Sequence, residues 1–211
     1  MTKFTSAALF TLTFAGASAL FAQMPPMSDM PAPAAGKAAP SAAPAGRLSP
    51  HETINAYVGG TRRTGTLITI TYGRPYSAKG GSGDVRKIWG GLVPWDKADR
   101  MGADEATLLL TPLPLVIGGT TFPAGAYTLY IVPSETGVTK LAFSSNIGKW
   151  GIPVDEAHDV ARVDLKKGSV EKRVDQLTLA LANDPDTPNG GVLTITWENT
   201  QFTLPFALKK S

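Results

Sequence analysis

Apolar and polar residues alternate with a period of two along most of the chain from Leu48 onward, a pattern typical of half-buried β-strands. In the stretch TLITITY, for example, Ile68, Ile70 and Tyr72 fall on one face and the residues between them on the other. No stretch of about twelve residues has the period of an amphipathic helix. The predicted strands are Glu52–Val58, Thr66–Tyr72, Ala106–Leu110, Leu115–Ile117, Ala126–Val132, Val138–Phe143, Val160–Leu165, Gln176–Ala182, Val192–Glu198 and Gln201–Leu208.

Short strands separated by Gly, Pro, Asn and Asp predict an all-β fold. We expect one antiparallel β-sandwich or jelly-roll-like domain over residues 48–211. Within it, Tyr127, Leu129 and Ile131 share one strand face and are expected in the core. The polar segment Glu198–Gln201, between two strong strands, is expected to be a hairpin loop.

Residues 1–22 have the organisation of a secretory signal peptide. Lys3 is the only charged residue among them, the run from Ala7 to Phe21 is uncharged, and Ala22 precedes Gln23. The run of about 15 residues is shorter than the about 20 needed to span hydrocarbon. We therefore expect cleavage, a periplasmic or secreted location, and no transmembrane anchor afterwards. The alternative is an anchor that stays on the protein.

Residues 23–47 are predicted to be a Pro/Ala-rich linker. The stretch 24–46 holds six prolines and eight alanines, with one acidic and one basic residue. Proline locks φ and removes a backbone donor, and few large apolar side chains are present to offset chain entropy. We expect a disordered, semi-extended tether.

The composition excludes several functional classes. The chain has no cysteine, so it has no disulfide framework, no thiolate nucleophile and no cysteine-based zinc site. The net charge is only +3, and the basic residues occur as scattered pairs rather than as the clusters that nucleic-acid binding requires. Two histidines, His51 and His158, are too few for a cupin-like metal site. We expect no nucleic-acid partner, no cofactor and no metal ion.

The segment Asp155–Ala161 has room for one or two helical turns and carries Asp155, Glu156 and Asp159. Hard cations bind carboxylate oxygens, so a Ca²⁺ site is one interpretation. A solvated acidic turn is the favoured one.

One long segment, about 73–104, has no strand pattern. A connection of this length in a small domain is usually functional or mobile. Six of the charged residues in or just after it, with its two tryptophans, are of interest: Arg74, Arg86, Lys87, Arg100, Asp104 and Glu105, with Trp89 and Trp95. Arginine pairs with carboxylate or phosphate through a planar fork, and tryptophan offers a stacking face. The set suits a small anionic or sugar-like ligand.

Several ordered motifs resemble the DUF2911 family, a domain of unknown function found in exported bacterial proteins. They are GRP at 73–75, RKIWGGLVP at 86–94, RMGADEAT at 100–107, PAGAYTL at 123–129, WG at 150–151 and DVARV at 159–163. The resemblance runs from about Ser49 to Phe206 and implies an exported, β-rich bacterial domain, with no established activity. The chain departs from the family by an insertion at Tyr76–Val85, by Asp99 where the family often has Trp, and by Asp104 where it has Asn.

The candidate ligand-binding residues are Arg74, Lys87, Trp89, Arg100, Glu105 and Trp150, and no residue is assigned a catalytic role. The structural alternative is that Arg100 and Glu105 pair to hold the long connection on the sheet, with Trp89 and Trp150 in the core. The adjacent acids Asp104 and Glu105 would point to opposite strand faces. They are a poor glycosidase pair, because that chemistry needs carboxylates about 5–9 Å apart across a substrate.

The favoured function is a binding or structural module of the cell envelope. Its partner would be a small anionic or sugar-like ligand, or an envelope protein. Two alternatives stay open: a hydrolase acting on carbohydrate or peptide through the Arg74–Glu105 region, and an adaptor that binds proteins along strand edges. A concave cleft beside that region would favour a ligand or substrate over the adaptor.

Overall fold

The computed structural model describes residues 49–78 and 84–209, which form eleven strands and one 3-10 turn, Glu156–His158. The strands are β1 (His51–Val58), β2 (Thr66–Gly73), β3 (Asp99–Arg100), β4 (Thr107–Thr111), β5 (Leu115–Ile117), β6 (Thr120–Phe122), β7 (Gly125–Val132), β8 (Lys140–Ser144), β9 (Asp159–Asp164), β10 (Lys166–Asp184) and β11 (Gly190–Leu208). The predictions for 1–22 and 23–47, and the centre of the expected insertion at 79–83, lie outside the described residues. No helix in the described part is long and apolar enough to cross a membrane.

The strands build two antiparallel sheets, so the predicted all-β sandwich is confirmed. The larger, seven-stranded sheet has the order β1-β2-β4-β7-β8-β9, and β3 pairs with β7 in line with β4. The smaller sheet has the order β10-β11-β5-β6. After β4 the chain leaves the larger sheet, forms the β5–β6 hairpin in the smaller sheet, and then returns to the larger sheet as β7.

The core lies between the two sheets, and the side chains in it are those at the alternating apolar positions of the sequence. On β2, Ile68 and Ile70 have no solvent-exposed surface. On β7, Tyr127, Leu129 and Ile131 belong to the same core, as predicted. Residues at every second position of a strand face the same way, so the local pattern sets which side chains are buried.

Strand β11 is one strand of 19 residues, so the predicted hairpin loop at Glu198–Gln201 is wrong. Its large buried side chains occupy odd-numbered positions up to Trp197 and even-numbered positions from Phe202 onward. Glu198 has a φ of 55°, and the register with β10 shifts beside it. A β-bulge turns the following side chains to the opposite face. It therefore explains both the polar interruption and the change of phase.

The two sheets are joined by hydrogen bonds along one edge as well as packed face to face. The Tyr72 hydroxyl accepts a hydrogen bond from the Leu179 N–H at 2.9 Å and donates to the Glu52 carboxylate at 2.7 Å. Just after β2, the carbonyl of Pro75 accepts from the Leu177 N–H at 3.0 Å. These bonds tie the end of β2 in the large sheet to β10 in the small one.

Candidate functional site

Strand β7 is buried on both faces, which shows that other residues cover the outer face of the large sheet. Leu129 points into the core, whereas Thr128 and Tyr130 point outward and are still buried. The connection between β8 and β9 covers them. Thr128 Oγ1 donates to the Asn146 carbonyl at 2.9 Å, and Asn146 Nδ2 donates to Asp155 Oδ2 at 3.0 Å.

A cleft of about 300 Å³, called here the first cleft, lies between the β8–β9 connection and the sheet. Its floor is formed by Thr128, Tyr130 and Ser144, and Arg100 forms one wall. The remaining lining residues are Ala106, Asn146, Lys149, Trp150, Gly151, Ile152, Pro153, Val154 and Asp155. Aromatic and apolar side chains with a few polar groups are the mixture found in small-molecule sites.

Arg100 forms one wall of the first cleft, and only part of its guanidinium is hydrogen-bonded to the described residues. Its Nη1 donates to the carbonyl oxygens of Asp104 and Trp150, the second at 3.0 Å. The guanidinium carbon lies 5.1 Å from the centroid of the Trp150 indole, which is 53% exposed. Nε and Nη2 of Arg100 make no hydrogen bond to any residue that the structure describes. One edge of the fork is therefore available to a planar anion.

Lys149 adds a second positive charge at the rim of the first cleft. Its carbonyl accepts from the Ala106 N–H at 3.1 Å, which fixes the β8–β9 connection against the start of β4. Its exposed ammonium makes no ion pair or hydrogen bond within 49–78 and 84–209. The acid that lines this cleft, Asp155, is engaged by Asn146 and lies 2.8 Å from His158 Nδ1. Positive charge therefore predominates in the first cleft.

Two of the predicted site residues, Arg74 and Lys87, lie away from the first cleft. Arg74 belongs to the joint between the sheets. Its Nε donates to the Leu177 carbonyl at 3.2 Å and lies 3.3 Å from Glu52 Oε2. Lys87 is an exposed residue in the long connection, and its carbonyl accepts from the Leu92 N–H at 2.9 Å.

The two candidate tryptophans have different environments. Trp89 packs against the core, with its ring centroid 5.3 Å from that of Phe202 and 6.5 Å from that of Trp197. The core interpretation is therefore correct for Trp89. For Trp150 it is wrong, because this side chain is half exposed beside Arg100.

Glu105 lies beside the first cleft and is not paired with Arg100. Its Oε2 is 2.9 Å from His51 Nε2, and Asp104 Oδ2 is 3.8 Å from the same nitrogen. The predicted Arg100–Glu105 ion pair is therefore wrong, although Arg100 does anchor the long connection through backbone carbonyls. A second cleft, of about 470 Å³, opens beside the His51–Glu105 pair.

Asp99, next to Arg100 on β3, is a partly buried acid. Burial raises the pKa of Asp99 to about 6, and the Arg100 guanidinium opposes the shift. Asp99 lines a third cleft of about 250 Å³ together with Arg86 and Trp197. Because Asp99 and Glu105 line different clefts, they do not face each other across one substrate site.

The predicted acidic turn is the 3-10 turn Glu156–His158, next to the first cleft, and its carboxylates are paired. Arg162 contacts Glu156 and donates to Asp159 Oδ2 at 2.7 Å. The Tyr130 hydroxyl donates to Asp159 at 2.5 Å, and burial together with this hydrogen bond raises the pKa of Tyr130. Among the described residues, no three His, Asp or Glu side chains are grouped to hold a metal ion. These hydrogen bonds and ion pairs fix the position of Tyr130, which forms part of the floor of the first cleft.

The first cleft and the long connection contain sequence motifs that follow one another in the same order as in a known family. The match covers residues 49–206, and the family is described as a protein of unknown function, DUF2911. The chain belongs to the DUF2911 family. No curated protein and no solved structure matches it.

Backbone geometry explains one feature of the DUF2911 motif at 100–107. Asp104, at the position where the family has Asn, has a φ of 62°. Asn and Asp adopt this left-handed conformation more readily than other residues with a side chain. The turn directs the Asp104 carbonyl to Arg100, so the Asn-to-Asp departure keeps the anchor of the long connection.

Sequence reasoning did not select Lys149, Asn146 or Thr128, which line the first cleft. None of them lies in the long connection, and an isolated Lys or Thr is a common surface residue. The available signal was the Gly- and Pro-containing stretch between β8 and β9, which also holds the Trp150-Gly151 landmark.

Proposed function

We propose that this DUF2911 domain binds a small sugar-like ligand that carries a carboxylate, in the first cleft. The observation that carries the proposal is the open edge of the Arg100 guanidinium beside the exposed Trp150 ring and the Lys149 ammonium. A carboxylate accepts two parallel hydrogen bonds from an arginine fork. A half-exposed indole offers a flat apolar face with little loss of conformational entropy on binding.

The N-terminal residues support a location outside the cytoplasm for this binding function. The uncharged run Ala7–Phe21 followed by Ala22 is typical of a secretory signal peptide. In the periplasm or outside the cell, acidic saccharides of the envelope are ligands of the proposed chemistry. The domain would then act as a binding module of the cell envelope.

The hydrolase alternative has less support than binding. Two carboxylates must face one substrate for glycoside hydrolysis. In the first cleft the lining acid is Asp155, which is already engaged by Asn146 and His158. The adaptor alternative accounts for neither the cleft nor the open cationic groups around it.

Calorimetric titration with glucuronic acid tests the proposal, with glucose and inorganic phosphate as comparison probes. We expect glucuronate to bind at least about tenfold more tightly than glucose. A hydrogen bond to a charged group contributes about 1.5–3 kcal/mol, and 1.4 kcal/mol is a factor of ten. Substitution Lys149→Ala should weaken glucuronate binding about three- to tenfold and leave glucose binding unchanged.

The matched control is Lys97→Ala, which removes the same charge from an exposed position that lines none of the clefts described above. Glucuronate binding should be the same in this variant as in the unsubstituted protein. Equal affinity for glucose and glucuronate would contradict the proposal. Tighter binding of phosphate than of glucuronate would assign the first cleft to a phosphate-bearing ligand instead.

A further inference from the structure

The first and second clefts meet at one contact on the outer face of the large sheet. The second cleft is lined by His51, Thr71, Tyr72, Gly73, Glu105, Ala106, Leu108, Gly148 and Lys149. Ala106 and Lys149 line both clefts, and the Ala106 N–H donates to the Lys149 carbonyl at 3.1 Å. The exposed Lys149 side chain therefore stands where the two clefts join.

The strand register aligns the floors of both clefts in one row. Thr71 on β2 is paired with Leu108 on β4, Leu108 with Thr128 on β7, and Thr128 with Ser144 on β8. Paired residues of antiparallel strands point to the same face, and neighbouring strands are about 4.8 Å apart. The row therefore crosses four strands and extends about 14 Å. It forms the floor of one groove that runs perpendicular to the strands.

The two ends of this groove differ in charge. The first cleft presents Arg100 and Lys149. The second cleft shares Lys149 with the first and holds no arginine. It presents the partly exposed Leu108, the hydroxyl of Thr71 and the half-exposed carboxylate of Glu105, which lies 2.9 Å from His51 Nε2. Only the first cleft offers an arginine fork to a carboxylate, whereas the apolar surface of Leu108 and the Thr71 hydroxyl in the second cleft suit an uncharged sugar.

We infer that the binding site extends over both clefts and takes an acidic oligosaccharide rather than a single acidic sugar. The carboxylate-bearing unit lies at Arg100 and Lys149, and a neutral sugar unit lies over Leu108 beside Glu105. The inference rests on the proposed function, because the same cationic residues hold the acidic unit. What it adds is a second subsite with a preference for an uncharged sugar.

Calorimetric titration with a monosaccharide and a matched disaccharide tests the second subsite. The probes are glucuronic acid and cellobiouronic acid, which is glucuronic acid joined to glucose. The disaccharide should bind at least about tenfold more tightly than the monosaccharide. Substitution Thr71→Trp places a large side chain in the second cleft and should reduce this gain to less than about twofold. Glucuronic acid affinity should stay unchanged.

Two further variants keep the result interpretable. Thr69→Trp introduces the same side chain on the same face of β2, at a position that does not line the second cleft, and should keep the gain. Glu105→Ala removes an exposed side chain and should lower the gain at least threefold, which provides a test if Thr71→Trp does not fold. Persistence of the full gain in both Thr71→Trp and Glu105→Ala would overturn the inference.

The outcomes separate the two proposals. Equal affinity for mono- and disaccharide, with glucuronic acid binding that depends on Lys149, would disprove the second subsite and leave the proposed function standing. Binding of neither saccharide would disprove both.

Discussion

Asp99 is held where its charged form is disfavoured. It lies on the two-residue strand β3, which pairs with Ile131 and Tyr130 of β7, so its backbone position is fixed by the large sheet. Burial raises its pKa from 3.8 to about 6, with Arg100 opposing the shift. The folded protein therefore binds a proton at Asp99 more readily than the unfolded chain does. The contribution of Asp99 to stability is therefore most favourable below pH of about 4 and becomes unfavourable as the pH rises through about 6.

Substitution Asp99→Asn should remove this penalty without changing the size of the side chain. At pH 7 we expect the variant to be more stable by on the order of 1 kcal/mol, a value reduced for the partial exposure of the group. At pH 4 the two proteins should be nearly equal, because Asp99 is then mostly protonated in the folded state. Urea unfolding followed by tryptophan fluorescence from pH 4 to 8 measures the difference.

The control for Asp99 is Asp186→Asn, which changes an exposed acid in the turn between β10 and β11. Its stability should follow the pH profile of the unsubstituted protein. A gain for Asp99→Asn of the same size at every pH would refute the electrostatic explanation.

At the scale of elements, the long connection is an ordered segment that one arginine anchors. Its Arg100 side chain reaches the carbonyls of Asp104 and Trp150 and so links β3 to the start of β4 and to the β8–β9 connection. Trp89 fixes another part of the same segment by packing on Phe202 of β11. Neither link involves Glu105, whose Oε2 lies 2.9 Å from His51 Nε2.

A double-mutant cycle at Arg100 and Glu105 tests this view of the connection. Arg100→Ala should cost about 1.5–3 kcal/mol, because it removes charged hydrogen bonds to two carbonyls. Glu105→Ala should cost less than about 1 kcal/mol, because the Glu105 side chain is half-exposed. The two losses should add within about 0.5 kcal/mol in the double variant. Urea unfolding of the four proteins gives these values, and a coupling above about 1 kcal/mol would restore the direct ion pair.

At the scale of the whole molecule, the sandwich is closed along the edge where β2 meets β10. The Tyr72 hydroxyl crosses between the sheets to the Leu179 N–H, and the Arg74 guanidinium reaches the Leu177 carbonyl from the same end of β2. Burial raises the pKa of Tyr72 to about 12. The hydroxyl therefore remains protonated and can donate to Glu52 at any pH well below about 12.

Substitution Tyr72→Phe should destabilise the domain by about 1–3 kcal/mol, because it leaves the buried Leu179 N–H without its acceptor. Thermal and urea unfolding measure the loss. Tyr57→Phe on β1 is the control, since the Tyr57 hydroxyl makes no hydrogen bond in the described part of the chain, and it should change stability by less than about 0.5 kcal/mol. An equally small effect of Tyr72→Phe would show that face-to-face packing alone joins the sheets.

The sequence by itself determined most of the strands and which of their faces are buried, since alternation is a local property of the chain. It did not predict β3, β6 or the first half of β10. It also carried the family motifs and the composition of residues 1–47. The prediction of a hairpin loop at Glu198–Gln201 was wrong, because a β-bulge and a hairpin loop both interrupt an apolar pattern with polar residues. Only the pairing with the neighbouring strand distinguishes them.

Only the tertiary structure decided which side chains share a site. Arg100 and Trp150 are both recognisable candidates, but their contact depends on how β3 and the β8–β9 connection meet over β7. Glu105 is close to Arg100 in sequence and still pairs with His51, because a left-handed turn at Asp104 intervenes. Contacts between distant segments are set by strand register and loop path, which the pattern of a single segment does not encode.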